Sequence, residues 1–409
     1  MTATEAPRII TPGSAPAENA IVPPMFPGGM LVDEREADAL AAVIARKCLF
    51  RYYGPGEGPR EVKNFEQEWC EAFDTPYTLC VNAGSSAIIC GLIALGATAG
   101  TEVIVPAYTW NATANAVLAA GAMPVLAEVD DSLTLDPADV ESKITPRTRA
   151  ILPVHMRGGG SNMDALMEIA ERHGLVVIED ACQAAGATFN GRRLGTIGDA
   201  GAYSLQFNKI ITTGEGGMFV CRDEEAYFTA IDVHDCAGSL RRAGELPRFA
   251  GYNFRASEFT GAVGRIQLSR LDGILAQMRD CHARIAARVS QLPGLTLRRS
   301  NDPAGDAGIA VIAFAESAEI AQAICAAITA AGVPAAPIYR ADTADLHVYP
   351  FWKPVLDAIA AAGAPSPDCP RTLDLLERTI HLDVPPGLTD AQVELIGDIV
   401  EAAVAQVRR

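Results

Sequence analysis

Between about residues 75 and 222 the chain alternates short apolar runs with stretches of helical periodicity. Seven runs read as strands: "TLCVN", "EVIVPA", "MPVLAEV", "AILPVH", "LVVIED", "GAYSL" and "GGMFVC". Helix-length stretches such as Ser86–Leu95, Asn111–Ala120 and Met163–His173 separate the first five. Strand and helix in that alternation predict an α/β fold with a mostly parallel sheet covered by helices on both faces.

The flanking regions have other patterns. Residues 1–30 are rich in Pro, Ala and Gly and predict an irregular lead segment packed on the body. Residues 223–255 mix a helix with "HDCAGSLRRAGELPRFAGYNFR", a long loop of the kind that is usually functional or disordered. One helical pattern runs from about Ser257 to Leu292 and suits a bridge between domains. Beyond it, strands near Leu295–Arg299 and Gly308–Phe314 and helices near Ala318–Ala331 and Asp390–Val407 predict a smaller C-terminal α+β domain. The expected division is 1–30, 31–265 for the large domain, and 266–409 for the bridging helix and small domain.

Composition narrows the function. With 409 residues, 49% hydrophobic and 20% charged, the chain can bury a deep site, and the usage is ordinary globular. A formal charge of -17 argues against broad attraction to nucleic acid or an anionic membrane. The ten cysteines form no C-x-x-C pair and no cluster with histidine at metal spacing, so reduced thiols and no metal are expected. The N-terminus lacks a basic segment leading into an apolar one, which makes the cytoplasm the expected location.

In open parallel sheets ligands sit outside the carboxyl ends of the strands, and four polar groups fall there. "NAGSSA" supplies Ser85 and Ser86 at a helix start, as a phosphate cradle or as an ordinary N-cap. Trp110 in "YTW" offers a face for stacking, or is core. Asp180 closes "VVIED" and needs a cationic partner there; a protonated pyridine, a structural partner, or Mg²⁺ shared with Glu179 would each serve. Lys209, five residues after Ser204 and before "TTGEGG", is an amine able to attack a carbonyl. Anion cradle, aromatic plate, buried acid and amine together make a receptor for pyridoxal phosphate.

With those residues in view, the chain resembles the DegT/DnrJ/EryC1/StrS family of sugar and cyclitol aminotransferases, of the type I pyridoxal phosphate fold. The similarity runs from about Phe50 to the C-terminal helix through "NAGSSA", "VIVPAYTW", "LPVHMRG", "VVIEDACQAAGA", "GRRLGTIGDAGAYSLQFNKIITTGEGGM" and "GYNFRASEFTGAVGRIQLSRLD". It implies that Lys209 forms the Schiff base, Asp180 pairs with the pyridine nitrogen, Gln183 approaches the phenolic oxygen and Trp110 stacks on the ring. Ser85, Ser86 and Ser204 would hold the phosphate, and Asn253 would reach the cofactor of the neighbouring subunit in a homodimer. "MRGGGSN" and Asn208 depart from the usual pattern. His155, Arg255 and Tyr339 are substrate candidates, and Arg241, Arg242, Arg255 and Arg340 are candidate cations for a nucleotide diphosphate.

The implied reaction passes an amino group from glutamine or glutamate to a keto-sugar, nucleotide-linked or free, or to a keto-cyclitol. Two other readings are a lyase or aromatising dehydratase of the aminohydroxybenzoate synthase type, and a non-catalytic cofactor-binding regulator.

Overall fold

A computed structural model describes residues 8–9, 21–54, 58 and 60–408, without the side chains of residues 8, 9, 242 and 243. Most of the expected lead segment thus lies outside the described residues.

The seven apolar runs form one sheet. Its strands are β1 (Tyr77–Val81), β2 (Glu102–Pro106), β3 (Met123–Ala127), β4 (Thr148–Ile151), β5 (Val176–Asp180), β6 (Ala200–Ser204) and β7 (Gly217–Cys221), in spatial order β1-β7-β6-β5-β4-β2-β3. From β3 across to β6 all pairings are parallel; β7 runs antiparallel to both of its neighbours. Successive side chains on a strand point to opposite faces, so the sheet feeds two cores. Leu79, Val81, Val103 and Val105 pack with Ile88 and Leu92 of the helix Gly84–Ala94. Cys80, Ile104, Ile151 and Val177 pack with Phe65 and Trp69 of the helix Glu61–Phe73.

A second, antiparallel sheet of β8 (Thr296–Leu297), β9 (Ala310–Phe314) and β10 (Thr379–Asp383) carries a third core with the helices Ala318–Ala330 and Asp390–Val407. The sequence pattern does not announce β10, because its "TIHLD" buries only Ile380 and Leu382 in that core and sets His381 between them.

Two expectations change. The continuous pattern from Ser257 to Leu292 is two helices, Glu258–Leu268 and Leu271–Val289. At the corner Arg270 turns back to the helix Glu34–Arg46, bonding the Leu31 carbonyl and pairing with Asp33 at 2.9 Å and Glu36 at 2.8 Å. Residue 265 lies inside the first of these helices, which packs on Glu34–Arg46 and Glu61–Phe73. The loop after residue 223 is ordered: beyond the helix Glu224–His234 the chain returns alongside it, Tyr252 donating to the Val233 carbonyl at 2.7 Å and Phe254 to that of His234 at 2.8 Å.

Candidate active site

Ser85, Ser86, Trp110, His155, Asp180, Gln183, Ser204 and Lys209 all lie at or just beyond the carboxyl ends of β1, β2, β4, β5 and β6, along one edge of the sheet. Strand alternation first separates two acids there. Asp180 Oδ2 accepts the Thr113 hydroxyl at 2.8 Å, and Oδ1 accepts the Cys182 amide at 3.0 Å. Thr113 lies 2.9 Å from the Thr109 hydroxyl, which donates to it because the Thr113 proton is already committed to the carboxylate. Asp180 is 5% exposed and has no ion pair among the described residues. Glu179, fully buried, instead accepts the amides of Gly195, Ile197 and Gly198 at 2.8, 2.6 and 2.7 Å. A shared Mg²⁺ site is therefore absent, and no cluster of three or more metal-ligating side chains occurs among the described residues.

His155 belongs with Glu179. Its Nδ1 accepts the Ser161 amide at 3.1 Å, so Nε2 bears the proton and donates to Glu179 at 3.0 Å. His155 is fully buried with both ring nitrogens hydrogen-bonded, the arrangement of a packed histidine.

Lys209 is half-buried in the turn after β6, where its amide donates to the Gln206 carbonyl at 2.9 Å and its carbonyl accepts the Gly28 amide at 3.1 Å. The ammonium has no ion pair or side-chain hydrogen bond among the described residues, and its charge is felt at Cys182 and His347. Of the glycines that follow, Gly217 lies against the start of the helix Gly84–Ala94. A Cβ on Gly217 would stand 2.5 Å from the Ala83 carbonyl carbon, and one on Gly84 would stand 2.8 Å from Ser204 Cβ and 2.9 Å from Cys182 Sγ.

That contact sets the start of the helix Gly84–Ala94 against the end of β6. The N-cap is Ala83, with no side-chain bond, so neither serine acts as the cap. Ser85 and Ser86 lie in the first turn, Ser86 donating to Asn82 Oδ1 at 2.7 Å, and Ser204 Oγ accepts the Gln206 amide at 3.3 Å. Trp110 is 42% exposed and so is not core. Gln183 Oε1 accepts the Arg157 amide at 3.2 Å.

Two residues that sequence reading missed complete the group. Thr113 carried only a weak signal, a hydroxyl in an alanine-rich helix just after Trp110. His347 arrives from the far part of the chain, because the amides of Thr109 and Asn111 bond the carbonyls of His347 and Leu346, both at 2.9 Å. Its ring centre is 4.9 Å from that of Trp110, and Nδ1 donates to Asp345 Oδ1 at 2.7 Å. Burial holds its pKa below the usual histidine value, opposed by Asp345 and assisted by the charges of Arg157 and Lys209.

The remaining candidates lie elsewhere. Asn253 is exposed on the segment bridged to β1 through Val81 and Arg255. Arg255 pairs at 2.7 Å with the buried Asp235, which also holds Arg241, and both guanidinium groups lie over Phe50. Arg340 is spent on Asp342 at 2.8 Å, and the side chain of Arg242 is outside the described residues. Tyr339 is 8% exposed, its ring centre 6.0 Å from that of Phe351 and its amide bonded to Leu376, within the core cluster that also includes Tyr108 and Val348.

A buried carboxylate lacking a cation, an amine lacking an anion, an open indole face and an uncapped helix start fit pyridoxal phosphate. The fold and this donor set are those of a pyridoxal phosphate-dependent aminotransferase. The chain belongs to the DegT/DnrJ/EryC1/StrS aminotransferase family, whose sequence model matches residues 33–401. Over 280 residues it is 35% identical to a protein of Streptoalloteichus tenebrarius provisionally named an L-glutamine:3-amino-2,3-dideoxy-scyllo-inosose aminotransferase, covering 68% of this chain and 67% of that one. The solved 3-amino-5-hydroxybenzoic acid synthase superposes with a TM-score of 0.80 at 29% identity, covering 93% of this chain and 99% of the other. DesV of S. venezuelae, solved with a ketimine intermediate, gives 0.78 at 31% identity, covering 91% and 94%. No helix among the described residues is long and apolar enough to cross a membrane.

Proposed function

We propose that the protein transfers an amino group from L-glutamine or L-glutamate to a keto-sugar or keto-cyclitol. The reading is supported above all by the Lys209 amine, unpaired among the described residues, and the Thr113-anchored Asp180 carboxylate, both of which act on Cys182. When bound, pyridoxal phosphate supplies an aldehyde that condenses with amines and a pyridinium ring that takes up negative charge. Asp180, fixed from two sides, would face the ring nitrogen and favour its protonated form. Lys209 Nζ would hold the group through its aldehyde and, when free, would serve as the base for the donor α-carbon proton. Trp110 would lie against the ring, Gln183 would be near the phenolic oxygen, and Ser85, Ser86 and Ser204 would hold the phosphate.

The active unit in this reading is a homodimer. Leu49, Tyr53, Leu240, Leu246, Phe249 and Tyr252 are all more than 40% exposed and surround the Asp235 ion pairs and Asn253, an apolar surface suited to burial against a second copy. Asn253 then reaches the phosphate across that interface. A second reading, an aromatising dehydratase, draws support from the likeness to the hydroxybenzoate synthase.

The deciding experiment mixes the yellow holoenzyme with L-glutamine alone and follows the cofactor's absorbance, then adds keto-sugars and keto-cyclitols singly. Conversion to the pyridoxamine form, reversed by one acceptor class, is the expected result. A cofactor left unchanged by every amino donor would refute the assignment.

A further inference from the structure

Three buried polar atoms on three separate segments have no hydrogen-bond partner among the described residues: Tyr108 Oη beyond β2, Arg157 Nε beyond β4 and His381 Nε2 in β10. They are close enough to act on one another electrically. The Arg157 guanidinium bears on the Tyr108 hydroxyl both by its charge and as a neighbour near hydrogen-bonding range, its charge bears on His381, and both Arg157 and Lys209 bear on His347. His381 Nε2 stands 3.4 Å from Asp383 without a hydrogen bond, and burial with the nearby cations pushes its pKa down to about 4, so it remains neutral.

Arg157 is costly for the fold in two ways. Its backbone lies in the left-handed region, φ 50 and ψ 39, which a residue with a Cβ enters only under constraint. Its Nε is buried without a hydrogen-bond partner, the guanidinium has no ion pair among the described residues, and Asp345 and Asp383 act on it only from a distance. The loop is held in that shape: Arg298 donates to the Met156 carbonyl at 3.0 Å while pairing with Asp306 at 2.8 Å, and the Arg157 amide is tied to Gln183. Strain and a half-buried cation with an unpartnered Nε, held by the Gln183 and Arg298 bonds of its loop, point toward a ligand.

We infer that Arg157, with the Tyr108 hydroxyl, binds the α-carboxylate of the amino donor; this rests on the aminotransferase reading above. A planar guanidinium and a neighbouring O–H match a planar group with two acceptor oxygens. Charge also selects a carboxylate. One negative charge balances one guanidinium, whereas a diphosphate would bring several into the field of Asp345 and Asp383, with Arg157 as the unpaired cation to meet it.

Calorimetric titration of the holoenzyme with glutarate, a dicarboxylate with no amine to react, tests this without turnover. Glutarate binds the wild type. Arg157→Gln and Arg157→Gly weaken it about 10- to 100-fold, Arg157→Lys less, and Tyr108→Phe about 3- to 10-fold, as for lost charged and neutral hydrogen bonds. The glycine variant relieves the backbone strain, so its melting temperature does not fall and misfolding does not explain the loss. Equal glutarate affinity in wild type and variants overturns the proposal, as does pyrophosphate binding through Arg157 in place of glutarate. If glutarate binds through Arg157 but L-glutamine leaves the cofactor's absorbance unchanged, it is the aminotransferase reading that fails.

Discussion

At the scale of single residues the site is a set of incomplete interactions. Among the described residues Asp180 has hydrogen bonds but no cation, and Lys209 has no anion. Replacing Lys209 by Ala removes the proton carrier, so the first half-reaction with L-glutamine should slow by at least about 10²–10⁴-fold while cofactor still binds noncovalently. Stopped-flow absorbance and cofactor retention on desalting measure the two. Reduction of the wild type with hydride should leave the cofactor on the peptide that contains Lys209. Thr113 gives a subtler test. Thr113→Val removes a hydrogen bond to a charged group, worth about 1.5–3 kcal/mol, and leaves the Cys182 amide in place. Cofactor affinity should fall about 10-fold or more; an unchanged affinity would show that the threonine does not orient Asp180.

Among elements, close contact decides the site's shape. The start of the helix Gly84–Ala94 can lie against Ser204 and Cys182 only because Gly84 has no side chain. Gly84→Ala should push the helix start away from the end of β6, at a cost of about 1–3 kcal/mol typical of overpacking. Thermal unfolding should register that loss, and cofactor affinity should drop with it, since the same first turn carries Ser85 and Ser86. Much at this level was legible beforehand. All seven strands of the central sheet match their apolar runs to within a few residues, because runs buried on both faces leave an unambiguous pattern. The helix break at Ser269–Arg270 was not legible: Arg270 is bent toward Glu36 by a contact remote in sequence, and the local periodicity continues through it.

For the whole molecule, buried histidines couple stability to pH. Burial pushes the pKa of His234 down to about 3, where its Nδ1 donates to the Ile231 carbonyl at 2.7 Å, and that of His381 down to about 4. Both are neutral in the folded chain, whereas an unfolded histidine takes up its proton near pH 6.5. Between about pH 6.5 and 4 the unfolded state therefore binds more protons, so the stability held above pH 6.5 is lost as pH falls, by up to about 1.4 kcal/mol per pH unit for each histidine. Denaturant midpoints at pH 7 and pH 5 should show this decline, and His234→Asn should flatten it; an equal slope in the variant would refute the assignment. Dimer formation belongs to this scale too, and light scattering should give twice the 43.1 kDa mass of the chain.

Taken alone, the sequence determined the α/β class, the strands of the central sheet to within a few residues and the polar residues near their ends, since hydrophobic period and strand-end position are local properties. It also supplied Lys209, Asp180 and the "NAGSSA" turn, each bound to a strand by a few residues of chain. Only the tertiary structure separated the partners of Glu179 from those of Asp180, buried His155 beside Glu179, and carried His347 to Trp110. It alone left Arg157, near Tyr108, without an ion pair among the described residues. Which partners a buried polar group finds, or lacks, depends on segments that meet only when the chain is folded.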